Sequence, residues 1–333
     1  MTTSAERSTR HNDTAADGGD TRQIIEQPAR RPVRKGPRKT RSTSPRGDGA
    51  LALRYLAPGK AGLILFILIP LLASIVISLY RWPLFGEPEF LGLQNYERLL
   101  FHDPLFWQVL LNTLVFTVAF TALNLVLAIA IAVWLQRLGP WGPLFRVLFF
   151  IPVVVPMVAN ALVWRLMLND DGVLNSTLEL LGLPGPSWLG DPNLAMLSLI
   201  AMSIWQGIGY NIVVLGAGLN TINPSAVEAA MIDGAGPWQR FTRVILPLLT
   251  PSIFFCLVMT LIGAFKVFAQ PFMLTNGGPG NSTTTLVLYL YQQGFSFNDL
   301  GYASALAWSL FVLVMLVTAL QFAGQKKWVN YDS

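Results

Sequence analysis

The sequence NTINPSAVEAAMIDGAGPWQRFTRVILPLL, residues 220–249, is a polar segment between two long apolar runs. Asn223 suits the N-cap of a helix that begins at Pro224, because the fixed φ of proline fits the first helical position. Gly234 is predicted to end that helix in a left-handed conformation. A second short helix is predicted to begin at the next proline and to end before Pro247, because proline breaks a helix interior. The pattern predicts a polar helix-turn-helix at a membrane surface.

The composition is typical of a protein that crosses a membrane several times. Hydrophobic residues make up 53% of the chain and charged residues 12%, whereas soluble domains are about 45–50% apolar and about 25% charged. Backbone polar groups in lipid need internal partners, so we predict an all-α polytopic membrane protein, with bends at Pro70, Pro152 and Pro156. Six uncharged apolar runs approach or exceed the roughly 20 residues of a spanning helix. They are residues 61–80, 109–136, 147–164, 194–221, 248–265 and 302–325.

Lysine and arginine are distributed unevenly between the two sides of these runs. Nineteen of the 23 precede the first run, follow the last run, or lie in the second and fourth connections. Residues 271–301 contain none. The positive-inside rule predicts that both termini and the segment 220–249 are cytoplasmic and that residues 271–301 lie outside.

Residues 1–50 differ from the rest of the chain. They carry eleven basic and six acidic residues and no apolar run, so they bury too little surface to fold, and we predict a disordered basic cytoplasmic arm. The basic cluster at residues 30–46 fits either a solvated tail that sets the topology or a segment that binds anionic headgroups. A cleavable signal peptide is not expected, because no apolar run lies near the start. Residues 330–333 are predicted to be a cytoplasmic tail end.

The sequence does not favour an enzyme or an ion-coupled transporter. The single cysteine, Cys256, lies inside the fifth run, so a disulfide or cysteine cluster within the chain is excluded. His102 lies in a connection, and no catalytic cluster is evident for a membrane enzyme. A secondary transporter or channel that uses an ion gradient is the alternative class. It is expected to carry acidic residues within its spans, and none of the six runs contains Asp or Glu.

The segment 220–249 resembles the EAA loop of ABC importer permeases, and we name it the EAA loop. The family pattern is EAAxxxG, nine residues, then IxLP; this chain has EAAMIDG at residues 228–234 and VILP at residues 244–247. Across residues 51–329 the chain is similar to the carbohydrate-uptake branch, and there to the first permease subunit of maltose-type and glycerol-phosphate-type importers. The further segments that carry this resemblance are FLGLQNYERLL (90–100), NT (112–113), DGVLNSTLELLG (171–182), LTNGGPGNSTTTLVLYLYQQGF (274–295) and GYASA (301–305).

The resemblance implies that residues 51–329 form one six-span permease domain and that the EAA loop docks into a separate ATPase subunit. A rigid loop of this kind transmits ATPase closure to the spans. The alternative is a purely structural turn. The implied coupling residues are Glu228, Ala229, Ala230, Asp233, Gly234, Pro237 and Arg240.

The resemblance also implies a substrate pocket near mid-membrane, lined by the fourth and fifth spans. Aromatic rings beside amides and hydroxyls suit a sugar, but small and polar residues also pack spans together. Lys266 is expected near the outer boundary, where it either snorkels to the headgroups or lies at the mouth of the pocket. The candidate residues are Trp205, Gln206, Gly207, Tyr210, Asn211, Thr260, Gly263, Ala264, Val267 and, in the third span, Asn160.

The implied function is that of a multi-pass permease in a bacterial-type cell membrane, which imports a sugar, an oligosaccharide or a related polyol by alternating access. Its implied partners are a second, homologous permease, a dimer of ATPase subunits and an extracytoplasmic sugar-binding protein. The ATPase subunits, and not this chain, are expected to bind ATP and Mg²⁺. The chain itself is expected to be no enzyme and to bind no cofactor, metal or nucleic acid.

Overall fold

The computed structural model describes residues 48–83 and 86–330, with side chains from Arg54 onward. The predicted arm lies outside the described residues up to position 47, as do the last three residues of the predicted tail end. Residues from Gly59 onward belong to one unit. The described chain is almost entirely helical, which confirms the predicted fold class.

Five helices of the described chain are long and apolar enough to cross a membrane, and a sharply bent pair of helices makes six if it is counted as one span. We number the bent pair as the third span. The first span contains a π-helical turn, Ile64–Leu68, between the helices Asp48–Leu63 and Ile69–Ser78. In chain order the spans are Arg54–Ser78, Pro104–Arg137, Gly139–Val154 with Met157–Leu180, Pro192–Thr221, Pro237–Phe265 and Leu300–Gln325.

The third span is broken at Val155 and Pro156, where its two parts meet at an angle of 94°. Val155 has an extended backbone, with φ −71° and ψ 134°, because the following proline ring disfavours a helical conformation. Pro156 has no N–H, so the carbonyl of Pro152 loses its helical donor. The Nδ2 group of Asn160 donates to that carbonyl at 3.1 Å. The predicted bend at Pro156 is thus a break in which a side chain replaces the lost backbone bond.

The fifth span is longer than the sequence predicts, because Pro247 does not break it. One helix runs over Pro237–Phe265 and contains a π-helical turn at Phe241–Ile245. A backbone hydrogen bond there reaches five residues back, and a turn of this width gives the proline ring room that a regular α-turn lacks. The expected second short helix is therefore the beginning of a span. Only the helix Pro224–Ile232 is a separate element of the EAA loop.

The fourth span is the centre of the bundle. In its most apolar stretch 61% of the residues are buried, against at most 28% in the other four long helices. It packs against the second span, the fifth span and the first half of the third span. At Gly209 the approach is so close that an added Cβ would overlap the Phe149 carbonyl oxygen. Small residues permit this closeness between membrane helices.

The end of the bundle opposite the EAA loop carries several short elements. An antiparallel pair of strands, Tyr80–Arg81 and Glu89–Phe90, follows the first span. The π-helical turns Arg98–His102 and Gln292–Ser296 precede the second and sixth spans. Three short α-helices lie in the same connections, namely Gln94–Glu97, Ala269–Leu274 and Leu286–Tyr291. The α-helices of the third span are Gly142–Val154, Met157–Leu168 and Val173–Leu180.

Asp103 joins several elements at this end. Its carboxylate caps the second span by accepting two backbone N–H groups and also accepts the hydroxyls of Tyr289 and Tyr302. Arg98 lies 4.0 Å from the centroid of the Tyr302 ring and forms an ion pair with Asp299 at 3.0 Å. Burial, followed by the bond to Asp103, raises the pKa of Tyr289. Its hydroxyl therefore stays protonated and continues to donate.

Candidate functional site

A cavity of about 580 Å³ opens among the second, third, fourth and fifth spans. It brings together eight of the ten residues proposed for the substrate path, namely Gln206, Gly207, Tyr210, Asn211, Thr260, Gly263, Ala264 and Val267. Further lining residues come from the second to fifth spans and from the segment after the fifth span. They are Phe116, Phe120, Asn124, Val153, Met157, Ser203, Met259, Lys266, Phe268, Ala269 and Gln270.

A polar contact at the cavity wall joins three spans. The Nδ2 group of Asn211 in the fourth span donates to Oδ1 of Asn124 in the second span at 2.6 Å. The same group lies 2.9 Å from Oγ1 of Thr260 in the fifth span and donates to it as well. Both asparagines are buried, and buried amides stabilise a bundle only when they find such partners. The contact fixes three walls of the cavity relative to one another.

Three buried polar atoms of the lining have no hydrogen-bond partner among the described residues. They are Nδ2 of Asn124, Oδ1 of Asn211 and Oε1 of Gln206. The other amide atom of Gln206, Nε2, donates to the carbonyl of Val155 at the break of the third span. A buried polar group without a partner is costly. Three residues of the wall thus retain unused hydrogen-bonding capacity, namely one donor and two acceptors.

Aromatic rings supply the apolar part of the cavity. Phe116 and Phe120 are stacked, with ring centroids 5.5 Å apart and an interplanar angle of 10°. Gly207 faces this pair, and a Cβ added there would lie 3.4 Å from the edge of the Phe120 ring. The side chain of Tyr210, one turn further on, is 41% exposed. Rings and amides on one wall suit a ligand that has both apolar faces and polar edges.

The charge of the cavity is small and positive. Lys266 lines it from the C-terminal end of the fifth span, where a cation is favoured by the helix dipole. No Asp or Glu of the described chain is part of the lining. Among the residues that the structure describes, no group of His, Cys, Asp or Glu could hold a metal ion.

Trp205 and Asn160 lie outside this cavity, although both were candidates for the substrate path. The ring of Trp205 packs against Trp164, with centroids 5.8 Å apart, and lines a separate apolar depression. Asn160 is buried at the break of the third span, where it holds the Pro152 carbonyl. The spacing of Gln206 and Tyr210 correctly predicts that both lie on the helix face that lines the cavity. Trp205 lies on another face of the same span, and Asn160 lies on another span.

The second span supplies three cavity residues that the sequence did not predict, namely Phe116, Phe120 and Asn124. Thr113, Thr117, Thr121 and Asn124 follow one another at intervals of four, four and three residues and are all buried. Intervals of this size place polar side chains on one helix face. Only Asn124 of this stripe lines the cavity, so the stripe indicates a packed polar face and would not by itself have identified the lining residues.

The EAA loop has the rigid turn that the sequence predicts. Oδ1 of Asn223 caps the helix Pro224–Ile232 by accepting the N–H of Ser225 at 3.0 Å. Gly234 has φ +77°, and the N–H of Ala235 donates to the Ala230 carbonyl at 2.9 Å. This pattern is a Schellman motif, in which a left-handed residue satisfies the last carbonyls of a helix.

The loop exposes a surface of mixed character. Ile232 and Trp238 are 87% and 74% exposed, which is unusual for large apolar side chains, and acidic groups lie beside them. Glu228, Ala229, Asp233, Gly234 and Pro237 are exposed, whereas Ala230 and Arg240 are half-buried. Exposed apolar residues next to charges are typical of a protein–protein contact.

Comparison with known proteins connects these features to a family. Residues 124–328 match the model of the family described as "Binding-protein-dependent transport system inner membrane component". The chain is 39% identical to the sulfoquinovosyl glycerol transport system permease protein SmoG of Agrobacterium fabrum, over 82% of this chain and 89% of SmoG. It is 36% identical to the lactose transport system permease protein LacF of Rhizobium radiobacter, over 80% of this chain and 91% of LacF.

The fold is also found among solved structures. A chain of a bacterial alginate ABC transporter, solved in complex with an alginate pentasaccharide-bound periplasmic protein, superposes with a TM-score of 0.75 at 22% identity. The superposition covers 84% of this chain and 96% of the other. The match to the family model and the similarity over most of the chain show that this protein belongs to the inner membrane components of binding-protein-dependent transport systems.

Proposed function

We propose that this chain is the permease subunit of an ABC importer whose substrate is a carbohydrate, meaning a sugar, an oligosaccharide or a related polyol. The observation that carries the proposal is the central cavity, whose lining combines residues that have unpartnered amide atoms with a stacked pair of aromatic rings. Similar proteins support the same class, since SmoG, LacF and the permease MalF of Thermococcus litoralis belong to transport systems for sulfoquinovosyl glycerol, for lactose and for trehalose or maltose.

The lining groups complement the two kinds of surface on a sugar. Nδ2 of Asn124 would donate to a hydroxyl oxygen, and the free oxygens of Asn211 and Gln206 would accept hydroxyl protons. The rings of Phe116 and Phe120 would face the C–H groups of the sugar. A polar ligand of this kind would satisfy groups that the protein leaves unpaired.

We further propose that the EAA loop couples this cavity to ATP hydrolysis on a dimer of separate ATPase subunits, which bind ATP and Mg²⁺. The fifth span supports this role, because it is one helix from Pro237, in the loop, to Phe265, beside the cavity. The distance along it from Pro237 to Thr260 is roughly 35 Å at about 1.5 Å per residue. A displacement of the loop would therefore move a cavity wall directly, as alternating access requires.

The proposed assembly contains a second, homologous permease and an extracytoplasmic sugar-binding protein beside this chain and the ATPase dimer. Both termini and the EAA loop would then lie in the cytoplasm, in agreement with the positive-inside rule. The substrate would arrive at the opposite end of the bundle.

Reconstitution tests the proposal. The chain would be purified with its partner subunits, placed in vesicles and supplied with the binding protein, and uptake of lactose, trehalose, maltotriose and arabinotriose would be measured. We expect uptake of at least one sugar, and we expect it to require ATP and the binding protein. Uptake that follows a proton or sodium gradient without ATP would instead favour the ion-coupled alternative.

A further inference from the structure

A second cleft of about 580 Å³ lies at the end of the molecule opposite the EAA loop. It is formed mostly by the connection between the fifth and sixth spans. Its walls combine the rings of Phe272, Tyr291 and Phe297 with the carboxamides of Asn276, Gln292 and Gln293. No Lys, Arg, Asp or Glu of the described chain lines it. The lining chemistry therefore resembles that of the central cavity without its positive charge.

Three of the four carboxamides that line this cleft have no side-chain partner among the described residues, whereas the fourth, Asn281, accepts a hydrogen bond from Thr284 at 3.4 Å. The side chains of Asn276, Gln292 and Gln293 make no hydrogen bond to any described residue. Gln293 is only 8% exposed, so its amide is recessed in the cleft rather than spread on the surface. Recessed amides without protein partners are suited to hydroxyl groups of a bound molecule.

The cleft is held in place by hydrogen bonds to the spans. Nδ2 of Asn112 in the second span donates to the carbonyls of Asn281 and Thr284, at 2.8 Å and 3.1 Å. Oγ1 of Thr285 donates to the carbonyl of Val267, beside the central cavity, at 2.9 Å. The site is thus built before any ligand arrives, which lowers the entropic cost of binding.

Aromatic rings connect this cleft to the central cavity. Phe268 lines the central cavity and is stacked on Phe272 of the outer cleft, with centroids 5.2 Å apart and an interplanar angle of 16°. Tyr291 lies 5.1 Å from Phe268 and 5.5 Å from Phe272. We name these three residues the aromatic ladder. The three rings form one packed cluster, in which Phe268 lines the central cavity and the other two line the outer cleft.

We propose that the outer cleft is a second carbohydrate subsite, which holds the outer part of a neutral oligosaccharide and passes it along the aromatic ladder to the central cavity. The proposal rests on the proposed function, because it takes the central cavity to bind a carbohydrate. A sugar is favoured over a loop of the binding protein as the occupant, because the ladder leads inward and Gln293 is recessed. A docking surface would need neither feature.

Two variants and a matched control test this subsite in the reconstituted importer. Phe297→Ala removes an aromatic ring that is 68% exposed at the cleft, and Gln293→Leu replaces the recessed amide with an apolar group of similar size. Phe101→Ala is the control, because Phe101 is 78% exposed and precedes the second span at the same end, but does not line the cleft. Uptake would be measured for galactose, lactose, maltotriose and arabinotriose, together with basal ATP hydrolysis.

The expected result depends on the length of the sugar. Each cleft variant should raise KM for a trisaccharide by roughly two- to tenfold, the effect of losing one stacking ring or a comparable polar contact. KM for shorter sugars and basal hydrolysis should match the wild type, and Phe101→Ala should have no effect. An equal change for all lengths, or no change, would overturn the subsite.

Three further outcomes separate this subsite from a protein-docking surface and from the proposed function. If the cleft variants fail to retain the binding protein in a pull-down, the cleft is a protein-docking surface and the subsite is wrong. If the wild-type importer takes up only galactose, the subsite fails while the proposed function stands. If it takes up none of the four sugars, the proposed function itself fails and the subsite falls with it.

Discussion

At the scale of single residues, the amides of the central cavity combine packing with recognition. One atom of Asn211 joins the second and fifth spans, and its other atom, Oδ1, has no partner among the described residues. An unpaired buried polar group costs about 1–3 kcal/mol, and a ligand that bonded to Oδ1 would offset that cost. The arrangement supports a binding role for Asn211, which stays a prediction.

Tyr210→Ala is predicted to weaken sugar uptake without affecting assembly. The ring of Tyr210 lies on the cavity wall and is 41% exposed, so its loss removes a stacking surface worth roughly 0.5–1.5 kcal/mol beyond the buried area. We expect KM for the transported sugar to rise, with unchanged subunit stoichiometry and basal ATP hydrolysis. Val213→Ala is the matched control, because Val213 is 42% exposed on the same span but outside the cavity lining. Loss of assembly in Tyr210→Ala would assign the residue to packing.

Gly234→Val is predicted to impair the coupling between the ATPase subunits and the spans. Gly234 has φ +77°, which costs a β-branched residue about 1 kcal/mol or more, whereas no atom lies within 4 Å of the position of its missing Cβ. The defect should therefore come from the backbone of the turn alone. Uptake and substrate-stimulated hydrolysis should both fall, as measured on a variant that is still inserted and expressed.

Gly236→Val is the control for this experiment. It has an equally open Cβ position, but its φ of −67° is ordinary for any residue. We expect it to behave as the wild type. Equal activity of both variants would show that the loop conformation is not needed for coupling.

At the scale of elements, two prolines with the same chemistry have opposite effects on their spans. Pro156 breaks the third span, and the side chains of Asn160 and Gln206 take over the freed carbonyls. Pro247 leaves the fifth span continuous, because a π-helical turn just before it absorbs the misfit. The sequence shows where a proline lies. It does not show which neighbours will replace the missing hydrogen bond, and this is why the predicted end at Pro247 was wrong.

Asn160→Ala is predicted to destabilise the protein rather than to alter sugar affinity. It leaves the buried carbonyl of Pro152 without a donor, at a cost of about 1–3 kcal/mol. We expect a lower thermal midpoint of the purified subunit and an unchanged KM. Asn169→Ala, which changes an exposed asparagine just after the helix Met157–Leu168, should leave the midpoint unchanged. A raised KM with normal stability would return Asn160 to the substrate path.

Helix spacing explains which residues of the cavity could be predicted from the sequence. Gln206, Tyr210 and Thr260 could be assigned to one cavity because their spacing fixes the helix face on which they lie. Asn124 could not be assigned with equal ease, since its role depends on how the second span is rotated against the fourth. Trp205 lies in the same segment, 205–211, as Gln206 and Tyr210, but its ring packs against Trp164 and not against the cavity. Rotation about a helix axis is set by packing, which a single sequence reveals only through stripes of polar residues.

At the scale of the whole molecule, the two proposed functional ends are joined by the fifth span. The EAA loop leads into its first residue, Pro237, and the outer cleft begins shortly after its last residue, Phe265. The central cavity lies between them. A single helix that leads from the loop past the central cavity towards the outer cleft is a direct route by which an event at one end could alter access at the other. The direction of transport then depends on which end faces the cytoplasm.

The topology is predicted to place the EAA loop inside and the outer cleft outside the cell. Nineteen of the 23 Lys and Arg residues lie on the side of the loop, and positive residues in short connections are retained in the cytoplasm. In a Cys256→Ala background, Ser296→Cys would mark the cleft and Lys327→Cys the C-terminal end. Both positions are exposed, whereas Cys256 is buried. An impermeant thiol reagent should label Ser296→Cys in intact cells and Lys327→Cys only after permeabilisation. Labelling of both variants in permeabilised cells shows that each site is accessible, so the reverse pattern in intact cells would mean an inverted topology. An inverted chain would present the EAA loop outside, away from any cytoplasmic ATPase, and the proposed import mechanism would fail with it.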